Sequence, residues 1–228
     1  MRPPARQRSD QAAFRALAGL AALLCALAAG PGARAATLVI TVQTSDGRPL
    51  PGVVVTAHSL DAPGRKPQPV KAVMDQVNRA FAPDLLLIPA GSTVTFPNSD
   101  LVSHQIYSFS PAKRFQLPLY RGTPYPPVHF DQAGVVTLGC NIHDEMVGYL
   151  VVTDAPYYGR TDAKGAWSSD VARGRYRITI WHPRMRDEAA DLERELTVGE
   201  ADDAELTLRL TKSLTPAPLA ERPHSWDY

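Results

Sequence analysis

Between Thr37 and Leu210 no stretch sustains a helical period; short β-type runs alternate with clusters of Gly, Pro, Asn and Asp. Runs are expected over residues 37–44, 53–58, 72–77, 84–88, 93–96, 105–109, 135–139, 147–153, 175–181, 192–198 and 205–210, with Trp167 in a further short strand. The 21 prolines suit a chain of many turns, since proline cannot donate to a helix or to a central ladder. Many short strands with turns between them predict an all-β sandwich or barrel. From Thr211 the pattern is lost, so residues 211–228 are expected to form a mobile tail.

The N-terminal segment reads as an export signal. Arg2, Arg6, Arg8 and Arg15 precede an uncharged apolar run over residues 16–29, and Ala33-Arg34-Ala35 supplies a small-x-small cleavage pattern. Cleavage is expected after Ala35. The run is short for a membrane span, so no membrane anchor is expected after cleavage. No Arg-Arg pair precedes it, which favours the general secretory route, and Leu24 before Cys25 argues against a lipoprotein signal. Residues 1–35 carry five of the 24 basic and one of the 23 acidic residues, so the mature chain is mildly acidic, near −3. No basic excess remains to neutralise phosphates, which argues against nucleic acid as a partner.

Loss of the signal also removes Cys25 and leaves Cys140 as a lone cysteine in a compartment where cysteines normally pair. A lone thiol there is open to oxidation unless a metal or deep burial protects it. Its neighbours favour a metal. In Cys140-Asn141-Ile142-His143-Asp144-Glu145-Met146 a strand is expected to end at Cys140, a turn to hold His143, and a new strand to begin near Met146. Copper in a trigonal site takes one Cys sulfur and two His nitrogens, with a long, weak contact to Met. Cys-x-x-His-x-x-Met supplies three of the four. His104 is the best candidate for the second histidine, because it lies between two expected strands, one of which can pair beside the Cys140 strand. His129 is held as a reserve ligand; His58, His182 and His224 read as ordinary structural or surface residues. Tyr149, Tyr157 and Tyr158 read as packing groups, and Trp167 and Trp181 as core of the flanking strands.

The Phe96-x-Asn98-x-Asp100 stretch ahead of His104 and the Cys140-x-x-His143-x-x-Met146 loop together resemble the cupredoxins, the plastocyanin and amicyanin group of blue copper proteins. The run from Gln105 (Gln-x-Tyr-Ser-Phe-Ser) and the segment Phe115-x-Leu-Pro-Leu-Tyr120 are similar to exported plastocyanin-like proteins labelled methylamine utilisation proteins. The resemblance implies a Greek-key β-sandwich and a single copper in a type 1 site. It implies His104, Cys140 and His143 as equatorial ligands and Met146 as the axial one, with one-electron transfer between periplasmic redox partner proteins. The chain departs from the group in two ways. Asp144 and Glu145 stand where a proline usually flanks the ligand histidine, bringing carboxylates that compete with Met146 as axial donor and make a docking patch more polar. Gln105 replaces the usual Asn after the first histidine, so the hydrogen bond between the two ligand loops is expected to differ.

Residues 46–52 (Asp-Gly-Arg-Pro-Leu-Pro-Gly), with residues 161–167 and 174–178, resemble carboxypeptidase-regulatory-like or transthyretin-like sandwich domains. The expected organisation is a copper domain over residues 73–153, inserted between two parts of a small accessory β-sandwich, residues 36–72 and 154–210. The alternative is one elaborated sandwich whose extra strands decorate the copper fold.

No enzyme is expected. A multicopper oxidase needs many histidines in His-x-His pairs, whereas this chain has six histidines and no such pair. A Cys-His hydrolase would use a histidine that activates the thiol, and one three residues on in a tight loop is better placed to share a metal. Two functions stand beside each other: a periplasmic electron carrier, and a copper-binding or copper-delivery protein or non-redox β-sandwich binding module.

Overall fold

The computed structural model describes residues 36–62, 64–122, 124–199 and 203–216. The expected export signal with Cys25, and the tail beyond residue 216 with His224, lie outside the described residues. The described chain is all-β apart from one short helix, and none of its helices is long and apolar enough to cross a membrane.

Two cores are built from different parts of the chain. The first lies between two sheets. One sheet has β1 (Ala36–Gln43) at its centre, flanked by β14 (Ala166–Val171), antiparallel, and β17 (Ala204–Arg209), parallel. The other runs β13 (Tyr157–Arg160), β2 (Val54–Ser59), β15 (Gly174–Trp181), β16 (Arg194–Val198). In β1 the alternation of Leu38, Ile40 and Val42 sends one face inward, where these residues meet Val55, Ala57, Trp167, Tyr176, Ile178 and Leu208. The helix, α1 (Ala189–Leu192), adds Leu192 to this core.

The second core belongs to the middle of the chain. A five-stranded sheet runs β6 (Leu85–Pro89), β12 (His143–Thr153), β11 (Gly134–Cys140), β8 (His104–Ser110), β9 (Lys113–Tyr120). A three-stranded sheet runs β10 (Val128–Phe130), β7 (Ser92–Thr95), β3 (Lys71–Val73). Between them are buried Met74, Ile88, Val94, Phe96, Ile106, Phe130, Leu138, Cys140, Met146 and Leu150. A hairpin of β4 (Asp75–Val77) and β5 (Ala80–Ala82) closes one end, with Phe81 in the core. Its two turn residues, Asn78 and Arg79, both have positive φ, 53° and 59°, the backbone that matches the twist of a two-residue hairpin.

A third, smaller cluster joins the two halves. Val54 of β2 and Trp181 of β15 point away from the first core and meet Leu85, Leu87, Val135, Tyr149 and Val151 on the outer face of the five-stranded sheet. This explains why β2 and β12 carry continuous buried runs, Val54–Ala57 and Leu150–Thr153, where a half-exposed strand would alternate. Trp181 therefore belongs to the joining layer, packed on Tyr149 with ring centroids 5.5 Å apart, and not to the core with Trp167.

β5, β9, β10 and β13 fall outside the expected runs. β9 contains Pro118 and lies at the edge of its sheet, where a missing donor costs little. Residues 211–215, assigned by sequence to the tail, are tied down: the Asp187 carboxylate accepts from the backbone of Thr211 and Lys212, and Thr215 N–H donates to Arg184 O at 2.9 Å.

Candidate metal centre

The centre forms where three strand ends meet. β11 ends at Cys140 and β12 begins at His143, so Asn141 and Ile142 make the turn and Cys140 is paired with His143. The expected turn position of His143 is thus the first position of a strand. The register shifts between Gly139 and Cys140: Gly139 pairs with Val147, and Asp144, Glu145 and Met146 form the irregular side. Such a bulge re-aims side chains near a sheet end. Here Leu138 and Cys140 from one strand, and Met146 and Leu150 from the other, all reach the second core. β8 lies antiparallel to β11, with Tyr107 opposite Gly139, and its alternation sends His104, Ile106 and Ser108 inward. His104 and Cys140 are thereby brought side by side across a sheet.

The side-chain geometry is compact. Cys140 Sγ lies 3.9 Å from His104 Nδ1 and 3.8 Å from His143 Nδ1. All three potential ligand atoms fall within 4.8 Å of one another. The two imidazole rings have centroids 4.8 Å apart, inclined at 61°. His104 is 0% exposed and Cys140 2%, while His143 is half-buried, so the group meets solvent on the His143 side. Cys140 is a free thiol. Met146, 2% exposed, is buried in the same core cluster as Cys140. One soft sulfur and two imidazole nitrogens form a donor set that fits copper, and the residues present fit that ion.

A second layer holds the ligands. His104 Nε2 is 2.9 Å from Asp100 Oδ2. The same Asp100 oxygen accepts from Arg79 N–H at 2.6 Å, and Oδ1 accepts from Leu101 N–H at 2.7 Å. Burial pushes the Asp100 carboxyl up, but the hydrogen bonds from His104, Arg79 and Leu101 outweigh it and leave it below the usual carboxylate range. Asn98 fixes the loop: its amide donates to Val102 O and Tyr120 O, and its Oδ1 accepts from Asp100 N–H. The two ligand-bearing loops are linked by Asn141 Nδ2 donating to Gln105 Oε1 at 3.2 Å. The departure at Gln105 therefore has a side-chain partner from the other loop.

Asp144 and Glu145 are exposed and lie outside the His104–Cys140–His143 group. The reserve ligand His129 sits exposed on β10, paired with Thr93, and does not join it. His58 pairs with Asp154 at 3.1 Å, and His182 accepts from Arg184 N–H. Tyr157 packs on Tyr176. Sequence reasoning assigned no role to Asp100 or Arg79. Asp100 was visible only as a letter in the Phe96-x-Asn98-x-Asp100 motif; its contact with His104 appears only once the loop is folded. Leu101, 82% exposed, and Ile142, 55% exposed, present apolar side chains from the two ligand-bearing loops.

No protein-family model matches the chain, and no curated protein sequence matches it. Solved structures do match over part of it. A purple cupredoxin from Nitrosopumilus maritimus is 29% identical over 36% of this chain and 99% of its own, with a TM-score of 0.33. A copper-containing nitrite reductase (NirK) from Thermus scotoductus SA-01 is 27% identical over 42% of this chain, with a TM-score of 0.34; the match spans about a quarter of the reductase, 24%. A reduced amicyanin variant is 24% identical over 36% of this chain and 80% of its own, with a TM-score of 0.33.

Proposed function

We propose that the protein is an exported carrier of single electrons that holds one copper ion in a type 1 site and works between periplasmic redox partners. The observation that carries this reading is the convergence of His104 Nδ1, His143 Nδ1 and Cys140 Sγ at one buried point. Copper bound there supplies a one-electron couple whose potential depends on the axial donor and on the hydrogen bonding around the thiolate. In this reading His104, Cys140 and His143 would hold the ion, and Met146, buried in the same core as Cys140, would add a weaker thioether donor.

The rest of the chain suits that task by what it holds still. Cys140 and Met146 are embedded in a close-packed core, which resists rearrangement between oxidation states. His143 is the ligand nearest solvent, and Ile142 beside it offers an apolar contact for a partner, with Asp144 and Glu145 adding negative charge at the rim. Nothing in the reading calls for substrate chemistry, and the protein is proposed as a carrier, not an enzyme.

The test is the visible absorption of the mature protein after addition of Cu(II), beside Cys140→Ser. The expected result is an intense thiolate-to-copper band that is absent in the variant. A colourless protein that takes up only Cu(I) overturns the carrier reading in favour of copper delivery, and failure to bind either ion overturns the copper reading altogether.

A further inference from the structure

His104 is wholly buried, so the state of its ring is decided by the two groups that face it. One nitrogen, Nδ1, faces Cys140 Sγ at 3.9 Å. The other, Nε2, faces Asp100 Oδ2 at 2.9 Å. An ionised carboxylate only accepts, so the hydrogen of a neutral ring is drawn to Nε2 and the Nδ1 lone pair is left aimed at the sulfur.

We propose that Asp100 is the positioning residue of the centre: it fixes the His104 tautomer and ring orientation, and its charge sets how strongly that imidazole donates to copper. The proposal rests on the copper reading of the site.

Asp100 is itself held from several sides, which a merely solvated loop carboxylate would not be. Its side chain is 12% exposed. Arg79 N–H reaches it from the tip of the β4–β5 hairpin, where Arg79 adopts positive φ, 59°, a conformation uncommon for a residue with a β-carbon. Leu101 N–H donates to its second oxygen, and Asn98 Oδ1 takes its backbone N–H. Asn98 in turn is anchored to Tyr120 O on β9, at the far edge of the sheet that carries His104. The frame thus spans the hairpin, the 98–102 loop and β9, and the only ring nitrogen it addresses is the one turned away from Cys140. A carboxylate bonded to a ligand imidazole raises its basicity, and loss of such a partner typically costs about 10–100-fold in metal affinity. Because the added charge favours the more positive ion, it also lowers the reduction potential.

Two variants test this. Asp100→Asn keeps the shape and an acceptor oxygen but removes the charge; Asp100→Ala removes both. In the metal-free protein, ¹⁵N NMR of the imidazoles is expected to show His104 as the Nε2–H tautomer in the parent chain and a mixture in Asp100→Ala. With copper, Asp100→Asn is expected to raise the reduction potential, and Asp100→Ala to weaken binding about 10–100-fold. A parent His104 found as the Nδ1–H tautomer overturns the proposal, as does an Asp100→Asn potential equal to the parent's. The metal-free NMR result is independent of whether copper binds, so a missing visible band would sink the copper reading while leaving the tautomer assignment standing or falling by itself.

Discussion

Tyr107 covers Gly139 so closely that a β-carbon on the glycine would lie 2.7 Å from the phenol ring. The two are register partners in neighbouring strands, and Gly139 directly precedes Cys140. Gly139→Ala must displace either the ring or the strand that carries the thiol. The expected cost is about 1–3 kcal/mol of stability, read as a lowered Tm. Tyr107→Ala in the same background should recover part of that loss, and simple additivity in the double-mutant cycle would show that the two side chains do not compete for space.

Met146 separates core packing from metal ligation. Met146→Leu conserves volume at a buried position, so a cost below about 1.5 kcal/mol is expected in the metal-free protein. With copper the same variant should shift the visible spectrum and the potential, since it replaces the thioether by a group that cannot donate. An unchanged copper spectrum would remove Met146 from the ligand set.

Tyr120 gives the protein an alkaline limit. Burial pushes its phenol up to about 12, against the opposing hydrogen bond from Gln76, and the hydroxyl donates to Phe96 O. A pKa raised above its unfolded value means that the stabilisation is complete below about pH 10 and is lost as pH rises towards 12. Tyr176, also pushed up to about 12 chiefly by burial, acts in the same direction. Tyr120→Phe should flatten part of the fall in Tm between those values; an identical profile would show that Tyr120 ionises freely.

Asp187 pins the segment after β17. Burial raises its carboxyl, but the hydroxyl and backbone of Thr211 and the backbone of Lys212 more than offset this and hold it below its ordinary value. A depressed pKa gives stability that is present above about pH 4 and is lost as pH falls through the lowered value. Asp187→Ala should speed amide exchange at Thr211 and Lys212 and lower Tm at neutral pH. The Tm difference should shrink in acid.

The sequence made the local part of the site readable, because Cys140, His143 and Met146 sit within one hairpin and their spacing survives folding almost unchanged. His104 was readable only through the expectation that its strand would lie beside that of Cys140, as β8 does. Asp100 was not, since a carboxylate on a loop has no distinguishing pattern until backbone N–H groups from residues 79 and 101 close around it. β13 escaped notice for a related reason: Tyr157-Tyr158-Gly159-Arg160 is short, and its glycine is required by the Trp167 ring that lies against it. The end of β12 was read only as a strand; its burial on both faces comes from a second sheet packed on the strand's back, which no local pattern specifies.

That double burial divides β12 into two mechanical regimes. Over Leu150–Thr153 the strand has a core on each side, so separating it from its neighbours requires both to open together, and those amides can exchange only when the whole structure lets go. Its other end, around residues 143–147, is irregular in register and partly exposed. The hairpin that bears Cys140 and His143 is thus gripped by two cores at its root and by one at its tip, so a disturbance that reaches the tip from solvent meets one packed layer there and a second further down the strand.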